Sequence, residues 1–142
     1  MSATAQKVFV DTTAWLALAN KSDSLHLPAV ELNQDFLARG VHYVTTDAVL
    51  TEVANALARP PLRYTAIRFL DAVLSSRRVT SLPVDRHLFA RGWQLYKDRP
   101  DKEWGLTDCI GSIAMAEEEI REAFVYDRHF QQAGYTCLLG PA

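Results

Sequence analysis

Four acids, Asp11, Glu52, Asp108 and Asp127, are the side chains whose types and placement point to chemistry. Asp11 and Asp127 each close a short apolar run, Val8 to Val10 and Ala123 to Tyr126. Such runs read as buried strands, and residues just past strand ends line the ligand crevice of an open α/β sheet. Asp108 opens a predicted helix carrying Ile110, Ile113, Ala114, Ala116 and Ile120 at helical spacing, with Thr107 as its expected N-cap. Glu52 falls in the early turns of another helix. Carboxylates gathered at one sheet end repel one another unless protonated or neutralised, and a divalent cation that prefers oxygen is the usual neutraliser. Mg²⁺ or Mn²⁺ held by few carboxylates keeps waters, so the set points to metal-assisted cleavage of a phosphodiester.

Taken singly, each acid has a plainer reading. Asp108 would be a helix cap, Asp11 a turn residue, Glu52 a solvated charge on the polar side of VLTEVANAL, and Asp127 a strand-to-helix turn. Two strand-end aspartates together with two helix-borne acids are harder to assign to four unrelated local roles.

The elements that must position these acids alternate along the chain. Strands are expected at Val8–Val10, Val41–Thr45, Val79–Val84, Ala123–Tyr126 and Tyr135–Leu139. Helices are expected from Thr12 or Thr13 through Leu18, over Pro28–Arg39 with Gly40 as the stop, over Val49–Leu57 capped by Thr46 or Asp47, and over Tyr64–Ser76 and Asp85–Lys97. Pro60 and Pro61 separate the third helix from the fourth, and Pro83 can lie only at a strand's end. Strands alternating with helices of this length imply right-handed crossovers and a parallel sheet covered on both faces.

With 142 residues, 49% hydrophobic and 23% charged, the chain fits a single soluble domain spanning residues 1–142. Cys109 and Cys137 show no metal-site spacing and read as buried thiols in a reducing compartment. The N-terminal MSATAQKVFVD has no apolar run long enough for a signal peptide, and no long uncharged apolar stretch follows; a cytoplasmic protein that does not enter a membrane is expected. A formal net charge of −2 argues against a generally basic nucleic-acid binder. Drawing four acids into one pocket nevertheless leaves the remaining surface mildly positive.

VFVDTTAW (Val8 to Trp15), TEVANAL (Thr51 to Leu57), LTDCIGS (Leu106 to Ser112) and VYDRHF (Val125 to Phe130) resemble the four acidic motifs of PIN-domain nucleases, especially VapC-type toxins of toxin–antitoxin pairs. The motifs stand in the family's order and span nearly the whole chain. The resemblance implies a three-layer α/β/α sandwich around a parallel sheet of four or five strands, and Mg²⁺- or Mn²⁺-dependent endoribonuclease activity. It implies Asp11 and Asp108 as direct metal ligands, with Glu52 and Asp127 completing the catalytic pocket and Thr12 orienting the Asp11 carboxylate or touching substrate. It also implies an RNA substrate, a homodimer, and a small antitoxin that inserts a segment, often with an arginine, into the acidic groove. Val125, where relatives often carry threonine, and Gly105, where serine is common, depart from the pattern without removing a carboxylate.

Two other readings remain open at this level: a housekeeping PIN ribonuclease without an antitoxin, and a PIN-like binding module without catalysis. His26, His42, His87 and His129 lack paired ligand spacing. Trp15 and Trp93 read as core or interface residues, and Trp104, near Asp108, as core or a base-stacking platform. Arg59, Arg63, Arg68, Arg77 and Arg78 cluster around one helical hairpin as a solvated face or as phosphate contacts.

Overall fold

β1 (Lys7–Val10), β2 (His42–Thr46), β3 (Val79–Leu82), β4 (Glu122–Phe124) and β5 (Thr136–Cys137) form one sheet in the order β3-β2-β1-β4-β5, with every neighbouring pair parallel. This computed structural model describes residues 5–126 and 131–138. Asp127 and Leu139 therefore lie outside the described residues. Val8, Phe9 and Val10 are each fully buried, as a central parallel strand covered on both faces requires.

The helices are α1 (Thr12–Ala19), α2 (His26–Ala38), α3 (Asp47–Ala56), α4 (Leu62–Ser75), α5 (Arg86–Asp98) and α6 (Leu106–Glu117). From β1 the chain steps to β2 and then β3 in one direction; from β3 it returns to β4 and β5 in the other. Right-handed crossovers then place α1 to α4 on one face and α5 and α6 on the opposite face. The result is the expected three-layer α/β/α sandwich, with five strands. Under the first face Phe36, Tyr43 and Phe124 meet edge to face, with centroids 5.4 to 6.1 Å apart, and Trp15 and Phe69 extend the cluster.

On the second face Gly92 of α5 lets α6 approach closely. A Cβ at that position would stand 2.5 Å from Ile110 Cγ1 and 3.1 Å from Ile110 Cα. The two helices run antiparallel, since Arg91 and His87 near the start of α5 reach Glu117 at the end of α6, at 2.7 and 3.2 Å.

Several boundaries differ from those expected from sequence. β3 stops at Leu82 because Pro83 has no N–H to continue the ladder. β4 and β5 are shorter than predicted, and β4 begins at Glu122. α2 starts at His26, before Pro28, and α4 starts at Leu62, directly after the cis Pro60–Pro61 bond. Gly40 stops α2 with φ +71°, a conformation that glycine adopts without a Cβ clash. Among the described residues no helix is long and apolar enough to cross a membrane.

Candidate active site

The sheet order reverses between β1 and β4, and in open α/β sheets the ligand crevice opens past the strand C-termini at such a switch point. Asp11 stands there. It follows Val10 directly, its N–H donates to Phe124 O at 3.2 Å, and the residue is only 2% exposed. Asp11 also occupies the N-cap position of α1, yet its side chain makes no capping hydrogen bond. Its carboxylate is therefore not used to cap the helix that it precedes. α1 begins at Thr12, so neither Thr12 nor Thr13 serves as the N-cap.

The two threonines act differently. Thr12 Oγ1 donates to Glu52 Oε1 across 2.7 Å, bringing the exposed Glu52 of α3 to the residue beside Asp11. Thr13 Oγ1 accepts from Tyr126 N at 2.9 Å. That second bond fixes the backbone immediately before Asp127 to the first turn of α1. Sequence reasoning gave Thr13 only a place at the start of the helix; the signal for its bond to Tyr126 was a second hydroxyl residue beside the first on a helix N-terminal turn.

Asp108 reaches the same edge through α6. Glu118, just past the end of α6, pairs with Lys7 at the start of β1 across 3.5 Å, so the C-terminus of α6 lies at the N-terminal edge of the sheet. A helix of 12 residues is about 18 Å long, which carries its first turn towards the strand C-termini. The N-cap is Gly105, not Thr107, and the helix starts at Leu106. Asp108 Oδ2 accepts from Gly105 N at 3.1 Å, the carboxylate half of a capping box, while glycine leaves the N-cap position without a side-chain acceptor. Asp11 at the mouth of α1 and Asp108 in the first turn of α6 each face the positive end of a helix dipole, worth about 0.3–1 kcal/mol apiece to a carboxylate.

Other acids at this edge are occupied. Asp47 Oδ1 accepts from Ser81 Oγ at 2.7 Å, and Asp85 Oδ1 caps α5 through Leu88 N at 2.8 Å. Beneath Asp11, Thr45 Oγ1 donates to Val10 O at 2.8 Å and accepts from Trp15 Nε1 at 3.2 Å, a fully internal pair of bonds. Burial raises the Cys109 thiol above its usual range, and the neighbouring Asp108 charge adds to the effect.

Thus Asp11, Thr12 and Glu52 come together at the switch point, Asp108 enters along α6, and Asp127 lies outside the described residues. Among the described residues no three His, Cys, Asp or Glu side chains meet closely enough to form a metal cage. The donors present are carboxylate and hydroxyl oxygens, hard ligands that suit Mg²⁺ or Mn²⁺. Of the remaining candidates, His26, His42 and His87 bond locally to Ala17 O, Thr80 Oγ1 and Glu117. Arg63 and Arg78 are engaged by Ala58 O and Leu37 O. Trp15 and Trp104 are buried, and Trp93, 43% exposed, stacks on Tyr96.

Comparison with known proteins agrees with this fold. The PIN domain family model matches residues 8–134. The 23S rRNA-specific endonuclease VapC20 of Mycobacterium tuberculosis is 27% identical over 129 residues, 90% of this chain and 95% of that protein. The crystal structure of VapC20, described as a sarcin–ricin loop cleaving toxin, superposes with a TM-score of 0.83 at 25% identity, covering 92% of this chain and 98% of that one. VapBC2 from Rickettsia felis, solved bound to a promoter DNA fragment, shares the fold at a TM-score of 0.67 and 15% identity, over 95% of this chain and 98% of its own.

Proposed function

The chain belongs to the PIN-domain family, and on that premise we propose that it is a Mg²⁺- or Mn²⁺-dependent endoribonuclease, the toxin of a toxin–antitoxin pair. The observation that carries the reading is the placement of a nearly fully buried Asp11 at the β1/β4 switch point, with Glu52 bonded to the adjacent Thr12. In this reading Asp11 and Asp108 hold the cation, and Glu52 and Asp127 complete the pocket and orient water. When bound, the ion supplies an activated water and stabilises charge on the phosphoryl oxygen. The chain's own residues prepare the site. Thr12 holds Glu52 in one orientation, the Gly105 amide fixes Asp108, and Thr13 anchors the backbone leading to Asp127. Cleavage leaves a 5′-phosphate.

The substrate reading is structured RNA, because VapC20, matched over most of its length, is described both as a 23S rRNA-specific endonuclease and as a sarcin–ricin loop cleaving toxin. A homodimer and a small antitoxin complete the proposal. Exposed apolar side chains on two helices support partners of this kind: Tyr64 (68%), Ile67 (52%) and Leu74 (63%) on α4, and Phe89, Trp93 and Tyr96 on α5. Between Phe69 and Leu74, Phe69 and Leu70 pack on the core and Val73 is buried, leaving Leu74 outward, so this stretch offers a partner little beyond Leu74. The direct test incubates the purified chain with 23S rRNA and Mn²⁺. The reading predicts discrete cuts bearing 5′-phosphates that disappear with EDTA; intact RNA at every Mn²⁺ concentration would remove it and favour a non-catalytic module.

A further inference from the structure

Trp104 joins a pair of cations to the acidic edge. Its ring is 8% exposed, and its indole N–H donates to Gln132 Oε1 at 3.2 Å, which holds the ring in place. Arg99 and Lys102 both lie against that ring, with the guanidinium carbon 5.2 Å and the ammonium 5.9 Å from the centroid, within cation–π range. The peptide between Trp104 and Gly105 is also the one whose N–H meets Asp108 Oδ2 at 3.1 Å. A peptide unit is planar and stiff. The residue that seats the two cations and the amide that anchors the carboxylate are therefore neighbours in the chain, joined by one planar peptide.

The two cations are not equivalent. Arg99 donates Nε and Nη2 to the two Asp101 oxygens, each at 3.0 Å, so its fork is filled. Lys102 comes within ion-pair distance of no carboxylate among the described residues; it stands only near enough to Asp101 to add weakly to the pull of Arg99 on that carboxyl. An RNA backbone approaching a group of carboxylates is repelled by them, and a positive flank lowers that barrier and draws the polyanion in. Several arginines cannot easily supply it: Arg63 and Arg78 bond to backbone carbonyls, Arg39 to Asp35 and Arg91 to Glu117.

We propose that Lys102, seated on Trp104 beside the Asp108 helix, is a phosphate-contact residue for the RNA strand crossing the acidic edge, an inference that rests on the nuclease reading above. Arg99, paired with Asp101, braces the same turn. The residue acts in binding the backbone and takes no part in moving protons.

The test measures Mn²⁺-dependent cleavage of a fluorescent sarcin–ricin-loop hairpin over a KCl series. Lys102→Ala is expected to raise KM several-fold with kcat held. It should also make log(kcat/KM) less steep in log[KCl] by about 0.7 to 0.9, the contribution of one phosphate contact. Lys102→Arg should restore both. Lys21→Ala, an exposed lysine in the turn after α1, should leave both at wild-type values. If the wild type cuts the hairpin and Lys102→Ala matches Lys21→Ala in KM and salt slope, the phosphate contact is wrong while the nuclease reading stands. If the wild type cuts no RNA with Mn²⁺, both fall together.

Discussion

The Thr12 hydroxyl donates to Glu52 Oε1 across 2.7 Å, joining the first residue of α1 to α3 over 40 positions of sequence. The bond places an exposed glutamate beside the buried Asp11. Losing a hydrogen bond of this kind costs about 1 kcal/mol, equivalent to about fivefold in rate. Thr12→Val should slow Mn²⁺-dependent cleavage by that order, and Thr12→Ser should keep most activity. Because both residues act through one contact, the double variant Thr12→Val, Glu52→Ala should be no slower than Glu52→Ala alone; additive losses in single-turnover rates would show that they act separately.

Thr45 supports Asp11 from below. Thr45→Val keeps the shape but removes the donor to Val10 O and the acceptor for Trp15 Nε1, both in the interior. Leaving such groups without that partner costs about 1–3 kcal/mol. The denaturant midpoint should fall with an unchanged m-value, and Thr45→Ser should recover most of the loss.

The alternation of strands and helices was legible in the sequence because short continuous apolar runs bounded by turn residues differ in length and spacing from longer stripes of period 3.6. The placing of Asp11, Glu52 and Asp108 towards one edge followed from that alternation. What the sequence did not disclose depends on contacts between distant residues. Thr107 has the chemistry of an N-cap, but Asp108 bonding back to Gly105 moves the start of α6 to Leu106. Val125 is fully buried yet lies past β4, because burial alone does not make a ladder hydrogen bond. Thr13 and Thr45 look like ordinary helix and strand residues until their partners Tyr126 and Val10 are seen.

Gly92 is required by the approach of α5 to α6. Gly92→Ala puts a Cβ 2.5 Å from Ile110 Cγ1 and 3.2 Å from Ile110 N, so backbone as well as side chain must move. Overpacking of this kind costs about 1–3 kcal/mol, which the better helix propensity of alanine offsets by up to about 1 kcal/mol. Thermal unfolding should show a lower Tm. Adding Ile110→Val to Gly92→Ala should recover little, since valine keeps the γ carbon at 2.5 Å as well as the Ile110 backbone contacts.

The fold should lose stability on the alkaline side. Burial raises the thiol of Cys109, helped by the Asp108 charge, and burial raises the Tyr43 hydroxyl against a smaller opposing pull from Arg78. A group whose folded pKa lies above its unfolded value favours the fold fully below the unfolded pKa, and that contribution drains away as pH rises towards the folded pKa. For the thiol the decline begins near its ordinary value, about 8.5. Urea midpoints between neutral pH and pH 10 should therefore fall for the wild type and fall less for Cys109→Ala; parallel curves would show that Cys109 does not contribute.

The central claim is that Asp11 and Asp108, 97 positions apart in sequence, serve one hydrated cation. Single-turnover cleavage of 23S rRNA in saturating Mn²⁺ tests it most directly, comparing the wild type with Asp11→Asn and Asp108→Asn, each confirmed folded by circular dichroism. The account predicts wild-type cutting and near-complete loss in both variants. Undiminished Mn²⁺-dependent cutting by the two folded variants would contradict it.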